Sequence, residues 1–180
     1  LIFVLGNHEE LLIQCLQELA RGNVGGHHYL NGTWNTLLQI SEMDEMEAYR
    51  HPNELIRRVM QSSFYKTLLP ACVDYYEPPN YIFVHGWIPR PVDMKWFREA
   101  DEQEWQDAIW VDSMSCIACM PENGYEKTLV FGHWGTWMLR GADWQDDDAH
   151  GMWINEPRKL VALDNTTCVS HRIEMYIVED

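Results

Sequence analysis

Three apolar runs in this chain end in the same way. Leu1-Ile2-Phe3-Val4-Leu5 runs into Gly6-Asn7-His8-Glu9, Tyr81-Ile82-Phe83-Val84 into His85-Gly86-Trp87, and Thr128-Leu129-Val130-Phe131 into Gly132-His133-Trp134. Short runs of apolar, β-favouring residues read as buried strands, and a glycine beside the histidine permits a sharp turn. Each strand therefore hands an imidazole to its end, which in open α/β sheets is where ligands bind. After the first, Glu9 and Glu10 open a helix, with carboxylates where the macrodipole favours them. An Asn side-chain oxygen can ligate a metal, and an imidazole can ligate or donate a proton. Asn7-His8 alone would be read as structural; three strand ends with the same chemistry point to one metal site.

The order Gly6-Asn7-His8-Glu9, Val84-His85-Gly86 and Gly132-His133 resembles the later motifs of the calcineurin-like metallophosphoesterases. Within them it is most similar to the bacterial and phage serine/threonine protein phosphatases. The resemblance implies an α/β (α+β) fold, a metallophosphoesterase-type β-sandwich flanked by helices in four α/β/β/α layers. It implies two divalent metal ions (Mn²⁺, Fe²⁺/³⁺ or Zn²⁺), with Asn7, His85 and His133 ligating one of them and His8 as general acid. Two earlier motifs of that family, Asp-x-His and Gly-Asp-x-x-Asp-Arg-Gly, precede the Asn-His-Glu strand and are not in this sequence. They carry the bridging aspartate, the other metal's ligands, the aspartate that orients the acid and a phosphate-gripping arginine. The 180 residues are accordingly expected to be the carboxyl-terminal part of one such domain, N-terminally incomplete and with little activity alone, with a helical cap at about residues 22–70.

Composition narrows the partners. A formal net charge of −15 argues against nucleic acid, whose binding relies on Lys and Arg neutralising phosphates. No run approaches the roughly 18 apolar residues of a membrane span, and the first apolar stretch is too short and too acidically flanked for a signal peptide. Five scattered cysteines suit a reducing, cytoplasmic compartment better than a disulfide framework. Cys116-Ile117-Ala118-Cys119 has no second pair at finger spacing, so a structural reading outweighs a zinc or redox role. The resemblance, rather than composition, implies the substrate: a phosphorylated protein or a small phosphoester.

Between the motifs, Leu11, Leu12, Cys15, Leu16 and Leu19 form one helical stripe that Gly22 ends. Residues 22–35 read as a polar loop. Its adjacent His27 and His28 should diverge and be exposed, which favours surface histidines over metal ligands, and Asn31-Gly32 marks a turn. A short acidic helix is expected over Glu42–Arg50 and another from an Asn53 cap towards Leu68, stopping before Pro70. Trp96–Trp105 reads as a charged helix that packs Trp105, Ala108 and Ile109. Arg90, near His85, reads as a surface arginine that could face a phosphate. Ile109-Trp110-Val111-Asp112 resembles the family's Trp-Ser-Asp-like segment at the groove. The acidic run Asp143–Asp148 fits no EF-hand spacing and reads as a solvated loop. Strands over Lys159–Asp164 and Ile173–Val178 should close the sheet. Two functional classes stay open: a phosphomonoesterase (or dinucleoside polyphosphate hydrolase), and a non-catalytic metal-binding or interaction domain of the same fold.

Overall fold

A computed structural model describes residues 1–89, 97–111 and 126–178. Arg90, Asp112, Cys116 and Cys119 lie outside them. The chain divides into two compact units, Leu1–Cys72 and Val73–Asp180. Helices and a mixed sheet make it an α+β chain. No helix among the described residues is long and apolar enough to cross a membrane.

The first unit is helical after the short strand β1 (Phe3–Val4). Helix α1 spans Asn7–Ala20. It starts because the Glu9 carboxylate accepts the Gly6 N–H at 2.9 Å, satisfying a donor that no helical carbonyl can reach. It stops where Gly22 takes a positive φ of 77°. Leu11, Leu12, Cys15 and Leu16 are buried, as their spacing foretold, and burial pushes the Cys15 thiol up to about 11, so it stays protonated. Helices α2 (Gly26–Leu30) and α3 (Thr33–Ser41) occupy the stretch expected to be a loop. Asp44 accepts the Glu47 N–H at 2.7 Å and so caps α4 (Glu45–Arg50).

His51-Pro52 then ends one helix and begins the next, since proline pushes the residue before it out of the helical region and fits a first helical turn. Helix α5 runs Pro52–Gln61, shorter than the expected reach to Leu68. Ser62 is the cause: its hydroxyl donates to Val59 O at 2.6 Å and accepts the Tyr65 N–H at 3.2 Å. That competition with the backbone breaks the helix, and a π-helical turn at Phe64–Leu68 follows. Leu12, Cys15, Trp34, Leu37, Leu55 and Val59 make the core of this unit.

After β2 (Cys72–Val73), where the units divide, the second unit is built on one five-stranded sheet. Its strands are β3 (Tyr75–Tyr76), β4 (Tyr81–Val84), β5 (Thr128–Phe131), β6 (Trp153–Asn155) and β7 (Leu160–Ala162), in the order β3-β4-β5-β7-β6. The middle three are parallel and the edges antiparallel. Parallel strands are covered on both faces, and Leu129, Val130, Phe131, Leu160, Val161 and Ala162 are indeed all buried. Helix α6 (Glu102–Ala108) adds Trp105 and Ala108 to a core with Ile82, Val84 and Phe97. Asp101 and Glu104 cap it reciprocally. The expected strand over 173–178 does not form: those residues have no regular secondary structure and no ladder partner among the described residues, and Ile173, Met175 and Ile177 are exposed.

One ion pair gives the second unit an acid limit. The Glu77 carboxylate, 14% exposed, accepts from Arg98 at 2.7 Å and lies 2.8 Å from Lys127 Nζ. The Arg98 hydrogen bond first, then Lys127, lowers its pKa to about 2 from 4.5. A depressed carboxylate stabilises the fold fully above its unfolded pKa, and the contribution is lost as pH falls through the folded one. Acid titration followed by circular dichroism should therefore show stability declining from about pH 5 towards pH 2. Glu77→Gln should be less stable at neutral pH and show a flatter decline; an unchanged decline would remove Glu77 from its cause.

Candidate metal centre

Strand pairing brings two of the sequence-selected histidines together. β4 and β5 run parallel with Tyr81 beside Thr128, Ile82 beside Leu129 and Phe83 beside Val130. Continuing that register sets His85 beside Gly132, and the Gly132 N–H donates to the His85 carbonyl at 2.7 Å. His133 follows one residue later. The His85 and His133 ring centroids are 5.1 Å apart, tilted at 53°, and both residues are half-buried. Adjacent parallel strands must end on the same side, so histidines directly after them must share that edge.

His133 has φ 70°, in the left-handed region. A non-glycine residue there costs of order 1–3 kcal/mol and persists when its surroundings hold it, a circumstance concentrated at functional sites. Its ring is enclosed by others: Trp134 at 5.6 Å and Trp110 at 6.3 Å, both edge-on. A pocket of about 320 Å³ opens beside it, lined by Gly132, His133, Leu163, Asp164, Asn165, Thr167, Ile173 and Glu174.

Asp164 and Asn165 are the residues that motif reading passed over. They follow β7, the third parallel strand, and so reach the same edge as His85 and His133. Asn165 is 2% exposed; its Oδ1 accepts the Gly151 N–H at 2.5 Å and its Nδ2 donates to Glu174 Oε1 at 3.0 Å. Asp164 accepts the Thr166 N–H at 2.8 Å, while its carbonyl accepts the Thr136 N–H at 2.9 Å. The signal was present: Leu160-Val161-Ala162-Leu163 is another apolar run that ends in polar residues able to ligate or accept.

The two glycines beside the histidines differ in purpose. A Cβ on Gly86 would lie 2.7 Å from both the Ala108 and Ile109 carbonyl oxygens. The chain after His85 therefore passes against the end of α6, where Trp87 N–H donates to Ala108 O at 3.1 Å. A Cβ on Gly132 would meet nothing nearer than His85 O at 3.7 Å. Gly86→Ala should thus destabilise the protein by about 1–3 kcal/mol, the usual cost of overpacking, and Gly132→Ala by clearly less. Urea denaturation of the two variants measures this; equal losses would remove the close approach as the reason for Gly86.

In the first unit, Asn7 is 5% exposed and His8 is exposed, in the first turn of α1. Both directly follow the β1 run and its Gly6, as the sequence indicated. Comparison of the chain with known protein families, characterised proteins and solved structures finds no match.

Proposed function

We propose that this chain is part of a metal-dependent phosphoester hydrolase of the calcineurin-like class, acting on a phosphorylated protein or a small phosphoester. The observation that carries the reading is the His85–His133 pair, two imidazoles 5.1 Å apart at the same end of neighbouring parallel strands. The order of the three motifs along the chain supports it. On this reading the sheet and its helices belong to the carboxyl-terminal part of an α/β/β/α sandwich. The free thiols Cys15, Cys72 and Cys168 suit a cytoplasmic setting.

The donor chemistry fits the implied ions. Imidazole nitrogens suit Zn²⁺ and Fe²⁺, with nitrogen typically about 2.0–2.1 Å from zinc, and an oxygen donor beside them suits Mn²⁺. When bound, such an ion supplies Lewis acidity towards a phosphoryl oxygen and acidifies bound water. The chain's own residues do the positioning. The Gly132-to-His85 hydrogen bond ties the two strand ends together, and the edges of Trp110 and Trp134 restrict how the His133 ring can turn. By the resemblance, Asn7 would supply an oxygen ligand to such an ion, and His8 a proton for the leaving alkoxide.

The test is hydrolysis of p-nitrophenyl phosphate by the chain together with any reading frame upstream of Leu1, with added Mn²⁺. Chelator-sensitive turnover that falls on His133→Asn is the expected result. Metal uptake without turnover would favour the non-catalytic domain, and uptake indifferent to both His85 and His133 would overturn the reading.

A further inference from the structure

We infer that Glu18, His27 and His28 form a second metal site, for a borderline divalent cation such as Zn²⁺, that pins α2 to the last turn of α1. The three side chains offer one carboxylate oxygen and two imidazole nitrogens, all within 4.8 Å of one another. His28 is completely buried, and among the described residues neither ring nitrogen makes a hydrogen bond of good geometry. Its Nε2 is 3.2 Å from Glu18 Oε2, near enough for attraction but outside hydrogen-bond geometry. A buried polar group without a well-placed partner is costly, and a cation between the imidazole and the carboxylate would satisfy both.

The surroundings hold the three ligands in place. The Gly25 N–H donates to Glu18 Oε2 at 2.8 Å and fixes the carboxylate. The His27 ring lies against Gly25, where a Cβ would come within 2.7 Å of Nδ1 and Cε1. It sits with its centroid 4.0 Å from that of His28. Neighbouring histidines on a helix ordinarily diverge, so two rings this close on a five-residue helix are an arrangement the tertiary structure imposes.

Donors around a tetrahedral zinc ion stand roughly 3.4 Å apart. A small turn of the exposed His27 ring closes the remaining gap, and His27 leaves a fourth position open to water. This is a His₂-carboxylate set, distinct in residues from the His85–His133 pair. The chain's net charge of −15 also favours cation capture.

The experiment is calorimetric titration of the 180-residue chain with Zn²⁺, in a His85→Asn/His133→Asn background that removes the other pair. One equivalent should still bind and should raise the melting temperature. His27→Ala, at an exposed position, and Glu18→Gln should each weaken binding by more than the roughly 10–100-fold that loss of an outer-shell partner costs. X-ray absorption on the zinc complex should count two imidazoles. Zinc binding that survives both substitutions undiminished, or no zinc binding in that background, would overturn the site.

Discussion

Replacing His8 with Asn should lower phosphoester hydrolysis by about 10²–10⁴-fold and leave metal content unchanged. That range is what a positioned general acid contributes. Asparagine keeps the size and a hydrogen-bonding tip of the imidazole but cannot give up a proton at neutral pH. His8 sits in the first turn of α1 and is exposed, so the change should leave the core of that unit intact. The loss should be smallest with p-nitrophenyl phosphate, whose leaving group scarcely needs a proton, and largest with an alkyl phosphate or phosphoserine peptide. His85→Asn should behave differently: metal occupancy falls, and activity partly returns at high Mn²⁺. The pair of variants separates proton transfer from metal holding. Loss of metal from the His8 variant, as from the His85 variant, would make His8 a ligand and the acid assignment wrong.

Trp34→Ala should remove about 3–5 kcal/mol of stability, the range for truncating a buried large aromatic. Trp34 is 2% exposed and packs with Leu37 and Leu55, both completely buried. Tyr49 stacks on it at 5.3 Å and Tyr29 lies at 5.4 Å. A cavity there cannot close cheaply, because α3 is held from several sides and helices this short depend on packing rather than on propensity. The indole N–H is buried without a hydrogen-bond partner. Trp34→Phe should therefore cost much less, since it removes an unsatisfied donor along with some volume. Urea unfolding followed by far-ultraviolet circular dichroism reads both. A Trp34→Ala loss under about 1 kcal/mol would show that the helical unit is organised around something other than this ring.

The His85–His133 pair was legible because each strand and the histidine at its end are local in sequence. Apolar residues 81–84 and 128–131 mark their strands within four residues each, and the histidines follow directly. Only the parallel pairing had to be supplied, and buried parallel strands with glycine-containing turns leave few alternatives. The stripe on α1 was legible for the same reason, whereas the acidic helix expected from Glu42 starts only at Glu45, behind the Asp44 cap.

His28 was misread because its environment is not local. Residues 22–35 have the glycines and polar side chains of a loop, and a five-residue helix cannot meet its own nucleation cost. It forms with α3 packed against it, and there His28 is buried beside Glu18 of α1 with the His27 ring close by. Asp164 and Asn165 show the same limit from the other side. Their strand was anticipated, but their place in the His133 pocket depends on β7 lying next to β5 across an intervening thirty residues or so of chain.

By itself the sequence determined where the chain turns, which faces are apolar and which residues stand at strand ends, since those follow from periodicity, capping and glycine over a few neighbouring residues. Residues 173–178 mark the boundary: their apolar residues read as a strand closing the sheet, yet no strand forms there and Ile173, Met175 and Ile177 are exposed. Whether they would join the sheet, like which carboxylate His28 would meet, only the tertiary structure decided. Such choices are settled by how distant segments bury surface against one another, and no local pattern carries that information.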